Sequence, residues 1–77
     1  MTDEDEIVVD ARGHQCPAPT LMLQRAVRRA PAGAILRLLA DDPLARIDAP
    51  HYAAQAGLDL LSVDEAGGLV IVRVGKP

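Results

Sequence analysis

Apolar residues occur along this 77-residue chain in four short runs and two helical stripes. The runs are rich in Val, Ile and Leu and are bounded by Gly, Pro or Asp, which is typical of β-strands. In the stripes, apolar residues recur every three or four positions, which is the period of an amphipathic helix. The pattern predicts strands at residues 7–9, 35–40, 58–64 and 69–74, with one helix on each side of the second strand.

The first helix is predicted to follow the sequence Cys16-Pro17-Ala18-Pro19. Proline fits the first turn of a helix because its missing N–H would have no partner there, so we expect Pro17 to be the first helical residue. The predicted buried face carries Met22, Leu23, Ala26, Val27 and Ala30, and the opposite face carries Leu21, Gln24, Arg25 and Arg28, with Arg29 at its flank. Residues 31–33 are predicted to end this helix.

The second helix is predicted to begin at Asp48, a good N-cap residue just before Ala49 and Pro50. Gly57 is suited to the position that follows the end of a helix. The predicted buried face is Ala49, Tyr52, Ala53 and Ala56. Residues 41–43 and 65–68 are predicted to be turns, the latter within a β-hairpin.

The element order βαβαββ predicts an α/β two-layer sandwich, in which a mixed four-stranded sheet carries both helices on one face. Its other face would be open to solvent or covered by a partner. The strand at 35–40 is apolar apart from Arg37, so we expect it to be central in the sheet. We expect residues 1–77 to form a single domain with a flexible acidic tail at residues 1–6.

Composition excludes several functional classes. Tyr52 is the only aromatic residue, so a stacking platform for single-stranded nucleic acid is excluded. A net charge of −3 and a pI of about 5.1 argue against general nucleic-acid binding. No apolar run approaches the roughly 20 residues that cross a bilayer, so we expect no membrane association. The acidic N-terminal segment is unlike a targeting peptide, so we expect a cytoplasmic protein.

Cys16 is the only cysteine, so an intramolecular disulfide is impossible. It is either a buried apolar residue or a reactive thiol. A polar loop before it and a helix start after it favour the reactive thiol, because the positive end of the helix macrodipole stabilises the thiolate. Arg12 and His14 would add to this effect if the loop folds back toward the thiol.

Histidine chemistry and metal binding are weaker hypotheses. His14 and Cys16 could pair as base and nucleophile, but an exposed loop histidine is the better interpretation because no third group is evident. Together with His51 they are too few soft ligands for a closed zinc site, so no metal is expected.

Two charged groups have a structural and a functional interpretation. Asp41, Asp42 and Asp48 could bind a hard cation or act as acid and base, but a turn and a helix cap explain them better. The arginine stripe on the first helix is either a solvated face or, together with Leu21, a docking face for an acidic partner.

The sequence Cys16-Pro17-Ala18-Pro19 resembles the Cys-Pro-x-Pro motif of the TusA/SirA-like family of small sulfur-carrier proteins. The resemblance extends from about residue 7 to residue 76 and includes Asp10, Gly13, Gly33, Asp41, Asp42, Pro43, Asp48, Pro50 and Gly57. It implies the same βαβαββ sandwich and a sulfur relay, in which Cys16 accepts a sulfane sulfur as a persulfide and transfers it to another protein. The supporting residues are expected to be Arg12, Gly13, His14, Pro17 and Pro19, with docking through Leu21, Arg25 and Arg28.

The resemblance also implies the partners. Donors in the family include cysteine desulfurases and rhodanese-like proteins, and acceptors include relay proteins of tRNA thiolation and DsrE-type proteins of sulfur oxidation. The covalent persulfide sulfur replaces any cofactor. This chain departs from the family at His14, where an aliphatic residue is usual, and at Ala53, where many relatives have a second cysteine.

Two other functional classes remain open at the level of sequence. One is a regulatory or protein-interaction module without catalytic activity, in which Cys16 is incidental. The other is a redox sensor with one cysteine, which would form a sulfenic acid rather than a persulfide.

Overall fold

The computed structural model describes residues 6–15 and 18–77, which form four strands and two helices. In chain order these are β1 (Glu6–Asp10), α1 (Ala18–Arg29), β2 (Ile35–Ala40), α2 (Ala45–Gln55), β3 (Asp59–Ala66) and β4 (Leu69–Gly75). The predicted order of elements is confirmed. The strand ends differ from the predicted ones by at most two residues.

The four strands form one mixed sheet in the order β1-β2-β4-β3. β1 and β2 are parallel, and β4 is antiparallel to both of its neighbours, β2 and β3. Both helical crossovers step in the same direction across the sheet, and right-handed crossovers of this kind put both helices on one face. The two-layer sandwich and the central position of β2 are therefore confirmed.

The core between the two layers is aliphatic. Its largest fully buried side chains are Leu23, Leu36, Leu38, Val70, Val72, Val74 and Pro19. α1 contributes the predicted face, with Met22 and Ala26 partly buried beside Leu23 and Val27. α2 contributes only alanines as fully buried residues, namely Ala45, Ala49 and Ala53. Such small side chains let a helix backbone lie close to the sheet.

The predicted start of the second helix at Asp48 is wrong, because α2 begins at Ala45. Asp42 opens the preceding turn: its Oδ1 accepts the Leu44 N–H at 3.1 Å and its carbonyl accepts the Ala45 N–H at 3.0 Å. Pro43 has a backbone angle already suited to a helix start, so the predicted turn leads directly into α2. Asp48 instead lies in the first turn of α2, where a carboxylate interacts favourably with the macrodipole.

The C-terminal half of α2 agrees better with the sequence analysis. Gly57 has φ +74°, a left-handed conformation that follows the C-cap residue Ala56, as predicted. Ala56 itself is exposed rather than part of the buried face. Pro50, predicted near the helix start, lies inside the helix and cannot donate to the carbonyl of Arg46, an exposed residue.

Glu6 is not part of a flexible tail but the first residue of β1. Its side chain is only 4% exposed, and its carboxylate lies 2.9 Å from the Arg37 guanidinium and 2.6 Å from that of Arg73. The two arginines are cross-strand partners on β2 and β4, and Glu6 offsets their mutual repulsion. Hydrogen bonding to Arg73 is the main cause that lowers the pKa of Glu6. The predicted tail is therefore limited to residues 1–5, which lie outside the described residues.

Candidate functional site

Cys16 and Pro17 lie outside the described residues, so the exposure of Cys16 and a helix start at Pro17 stay predictions. The residues on either side are placed. The Gln15 carbonyl accepts the Ala18 N–H at 2.8 Å, so the end of the preceding loop is hydrogen bonded to the first residue of α1. Pro19, one of the predicted supporting residues, is fully buried in the core and anchors the first turn of the helix.

The loop that leads to Cys16 is fixed to the turn after β2. Gly13 donates its backbone N–H to the carboxylate of Asp41, with distances of 2.9 and 3.1 Å to the two oxygens. Gly13 has φ +86°, a conformation that side chains disfavour. β1 and β2 are parallel, so the loops that follow them emerge at the same edge of the sheet. Gly13 thus joins this loop to Asp41 by a backbone contact, and its predicted support of Cys16 stays a prediction.

Removing the Asp41 carboxylate should loosen this loop. In Asp41→Ala the Gly13 amide loses its acceptor, a change of about 1 kcal/mol for an exposed charge-assisted bond. We expect amide hydrogen exchange at Gly13 to become roughly five- to tenfold faster, while core amides of β2 and β4 keep their protection. Unchanged exchange at Gly13 would mean that other contacts hold the loop.

Arg12 is paired with Asp10 across the beginning of the same loop. Its Nε and Nη2 donate to the two carboxylate oxygens at 2.9 and 2.8 Å, and its backbone N–H donates to Oδ1 at 3.1 Å. These hydrogen bonds lower the pKa of Asp10 to about 2 and raise the pKa of Arg12. The Asp10 carboxylate neutralises the charge that Arg12 would offer to a thiolate at Cys16. The predicted support of Cys16 by Arg12 therefore stays a prediction.

The Asp10–Arg12 pair should make stability depend on pH in a defined way. The pKa of Asp10 is lower in the folded protein than its ordinary value of 3.8, so the ionised carboxylate stabilises the fold. The stabilisation by Asp10 is complete above pH 3.8, and it is lost as the pH falls through about 2. The stability difference between the wild type and Asp10→Asn, measured by urea unfolding, should therefore shrink over that interval. A stability difference that does not vary with pH would contradict this role of the Asp10–Arg12 pair.

Three predicted residues lie together on a shallow groove beside the start of α1. This α1 groove, of about 320 Å³, is lined by His14, Ala18, Leu21, Met22 and Arg25. Leu21 is 48% exposed. Arg28 is exposed one turn further along and does not line the groove. Within residues 6–15 and 18–77, Arg25 and Arg28 form no ion pair, so their charges face solvent.

A second groove lies between the two helices and was not predicted. This interhelical groove, of about 250 Å³, is lined by Thr20, Asp48, His51, Tyr52 and Gln55. Sequence reasoning considered Asp48 as a cap and His51 as a metal ligand, but the pattern of α2 alone gives no sign that they face Thr20 of α1. The signal that was available is the polar side of α2 at positions 48, 51 and 55.

Metal-ligand groups and membrane spans were also sought in the part of the chain that the structure describes. There, no group of three or more His, Cys, Asp or Glu side chains could hold a metal ion. Neither described helix is long and apolar enough to span a bilayer.

Comparison with known proteins connects this site to a family. The model of the family described as Sulfurtransferase TusA matches residues 7–76. The Sulfur carrier protein TusA of Pseudomonas putida (strain GB-1) is 38% identical over 77 residues, covering 99% of this chain and 96% of the relative. That of Pseudomonas aeruginosa (strain LESB58) is 33% identical over 76 residues, with the same coverage.

A solved structure agrees with the sequence relatives. The crystal structure of a SirA-like protein from Desulfitobacterium hafniense has a TM-score of 0.78 and 25% sequence identity to this chain. The match covers 91% of this chain and 99% of that protein. Matching sequence over nearly the whole chain, with the same fold, leads to one conclusion. The chain belongs to the TusA family of sulfurtransferases.

Proposed function

We propose that this protein carries sulfur as a persulfide on Cys16, taking it from a donor protein and passing it to an acceptor. The observation that carries the proposal is the position of the only cysteine in the chain. In the sequence, Cys16 falls between Gln15 and Ala18, whose backbones are hydrogen bonded to each other at the start of α1. His14 and Ala18, the nearby described residues, line the α1 groove. The relatives named as sulfur carrier proteins support the same role.

The proposed chemistry is thiol exchange at sulfane sulfur. In loading, the Cys16 thiolate attacks the outer sulfur of the donor's persulfide, R–S–SH. One S–S bond forms at Cys16 while the donor's S–S bond breaks, and the donor thiolate leaves with the bonding electron pair. In unloading, the acceptor thiolate attacks the outer sulfur on Cys16, and the Cys16 thiolate leaves. Each step conserves the number of S–S bonds, so no external oxidant or reductant is required.

The experiment that tests the proposal is loading with a low-molecular-weight persulfide, followed by accurate mass measurement of the intact protein. We expect a gain of about 32 Da that cyanide removes as thiocyanate, since cyanide attacks sulfane sulfur. A sulfenic acid would add about 16 Da and a sulfinic acid about 32 Da as two oxygens, which accurate mass separates from one sulfur. A protein that gains only oxygen would be a redox sensor, and one that gains nothing would be an interaction module.

We propose that one partner docks on the α1 groove and the neighbouring arginines. Leu21 offers an exposed apolar contact, while Arg25 and Arg28 offer positive charge without ion pairs to any described residue. A partner with acidic residues around its own sulfur site, such as a cysteine desulfurase, a rhodanese-like protein or a relay protein, would complement this surface.

Charge reversal at Arg25 and Arg28 should slow transfer with that partner by roughly three- to tenfold at low salt, because it turns attraction in the encounter into repulsion. The arginines are 7 and 10 residues after Ala18, or about 10–15 Å along the helix, which exceeds the Debye length of about 8 Å at physiological salt. Alkylation of Cys16 by a small reagent should therefore keep its rate.

If the partner docks at this surface, the slowing of sulfur transfer must depend on where charge is changed and not on net charge alone. Arg25→Gln and Ala54→Glu each lower the net charge by one, but Ala54 is exposed on α2 and lines neither groove. Only Arg25→Gln should slow transfer, and the difference should fade as salt is added. Equal effects of the two variants would contradict docking at this surface, and a parallel loss of alkylation rate would mean that the arginines act on the thiol.

A further inference from the structure

The α1 groove has an apolar middle and a basic side chain near each end. Ala18, Leu21 and Met22 line the middle, and their spacing with Arg25 puts all four on one face of α1. From Ala18 to Arg25 the helix rises about 10 Å. His14 belongs to the loop before α1 and lines the groove where the helix begins. His14 and Arg25 thus flank the apolar residues.

The backbone of His14 is held in place while its ring is exposed. Its N–H donates to the Ala11 carbonyl at 3.2 Å, and the neighbouring Gly13 is hydrogen bonded to Asp41. Among the residues that the structure describes, none forms an ion pair or a hydrogen bond with the His14 ring. The ring can therefore bind a partner without first giving up another contact.

The charged groups around His14 belong to three parts of the chain: the end of β1 with its loop, the turn before α2, and α1. They are Asp10, Arg12, Asp41, Asp42 and Arg25. Hydrogen bonds from Arg12, with a smaller contribution from the charge of His14, lower the pKa of Asp10 to about 2. Asp41 accepts the Gly13 N–H, and Asp42 accepts the Leu44 N–H. Of these five groups, Arg25 alone shares the α1 groove with His14.

We propose that the α1 groove binds a segment of one sulfur-transfer partner in which two carboxylates flank an apolar side chain, and that protonation of His14 tightens this docking. The inference rests on the proposed function. The apolar side chain would contact Leu21 and Met22, while one carboxylate meets Arg25 and the other meets His14. Histidine is the side chain that ordinarily changes charge between pH 5 and 8, so attraction for the acidic segment becomes stronger as the pH falls.

A second histidine in the chain allows a direct comparison. His51 is exposed on α2 and lines the interhelical groove. Thr20, which lines that groove too, is five residues before Arg25, or about 140° around the helix, so the two grooves lie on different sides of α1. An effect of histidine protonation on the α1 groove must therefore depend on His14 and not on His51.

Binding is tested with the peptide Ac-Glu-Gly-Leu-Gly-Glu-NH2. In an extended peptide alternate residues face the same side, and the two glutamates are then about 14 Å apart. The peptide is titrated into Cys16→Ser, which removes a thiol that ordinarily titrates near pH 8 and makes the measurement independent of sulfur loading. The reporters are the ring-proton NMR signals of His14 and His51.

We expect a saturable shift of the His14 signals and little shift of the His51 signals. Binding should be roughly two- to fivefold tighter at pH 6.0 than at pH 8.0, since glutamate is ionised at both values while histidine is not. The glutamine analogue, Ac-Gln-Gly-Leu-Gly-Gln-NH2, should bind more weakly and without this pH dependence. Equal binding of the two peptides, no saturable shift of His14, or equal affinity at the two pH values would overturn the proposal.

A matched pair of variants assigns the pH dependence to one histidine. In the Cys16→Ser background, His14→Gln should bind the acidic peptide at pH 6.0 about as weakly as the parent protein does at pH 8.0. His51→Gln should keep the pH dependence of the parent. Both side chains are exposed, so the urea unfolding midpoints should stay close to that of the parent. Persistence of the pH dependence in His14→Gln, or its loss in His51→Gln, would contradict the role of His14.

Sulfur transfer then tests docking in the protein that retains Cys16. The half-reaction slowed by reversal of Arg25 and Arg28 should also be slower in His14→Gln than in the wild type, and the ratio of the two rates should be larger at pH 6.0 than at pH 8.0. The ratio of their Cys16 alkylation rates should be the same at both pH values. A parallel change in the alkylation ratio would mean that His14 acts on the thiol and would contradict a docking role. If the wild type takes up no sulfur, the proposed function fails, while the peptide titration still decides whether the groove binds the acidic segment.

Discussion

Cys16→Ser should lose sulfur uptake completely while keeping its fold. Serine has no thiolate, so it can neither attack a sulfane sulfur nor carry one. The fold should persist because the core is built from other residues, chiefly the leucines and valines of α1, β2 and β4. Uptake is measured by accurate mass and by thiocyanate release, and folding by the urea unfolding midpoint, which should match that of the wild type.

The chain offers a clean internal check on this result. Apart from Cys16 its only sulfur atoms are in two methionines, Met1 and Met22. Oxidation of both to sulfoxides would add two oxygens, about 32 Da, and imitate one sulfur at low mass accuracy. A cyanide-labile gain of one sulfur in Cys16→Ser would contradict the proposed carrier site, and loss of the fold would mean that Cys16 has a structural role.

Local patterns in the sequence predicted most of the fold. The spacing of Leu23, Val27 and Ala30 identified the buried face of α1, because a helix that packs on one side repeats its apolar residues every three or four positions. The apolar run at 35–40, broken only by Arg37, identified the central strand. Both features depend on residues that are close in the sequence, which is why one chain suffices to recognise them.

The features that the sequence did not predict depend on distant residues or on ambiguous ones. Glu6 was interpreted as part of the tail because its two arginine partners are 31 and 67 residues away. The contact from Gly13 to Asp41 spans 28 residues and was not predicted for the same reason. The start of α2 was misplaced because Pro43 suits both a turn and the first position of a helix.

For the candidate site, too, the sequence predicted residues that lie close together along the chain and missed a groove that two separate helices form. His14, Leu21 and Arg25 were proposed from sequence, and the structure brings them to one groove. The interhelical groove was missed because it exists only once two helices pack side by side. Its polar residues on α2 were visible in the sequence, but their neighbour on α1 was not.

Leu23→Ala and Leu21→Ala should separate stability from docking on the same helix. Leu23 is fully buried, so its truncation leaves a cavity and should cost about 2–5 kcal/mol of unfolding free energy. That is a large part of the roughly 4–12 kcal/mol expected for a domain of this length. Leu21 is 48% exposed on the α1 groove, so its truncation should change stability little but slow sulfur transfer with the partner that docks there.

The two variants are compared by urea unfolding, by the alkylation rate of Cys16 and by the rate of transfer between proteins. Each kcal/mol lowers the melting temperature of so small a domain by about 4–8 °C, so Leu23→Ala should be studied well below its transition. Under those conditions it should be alkylated and should transfer sulfur almost as the wild type does, because its groove is intact. Leu21→Ala should be alkylated normally and transfer slowly. The opposite result, normal transfer by Leu21→Ala, would move the docking surface away from the α1 groove, since an exposed leucine that contributes nothing to transfer is only a solvated side chain.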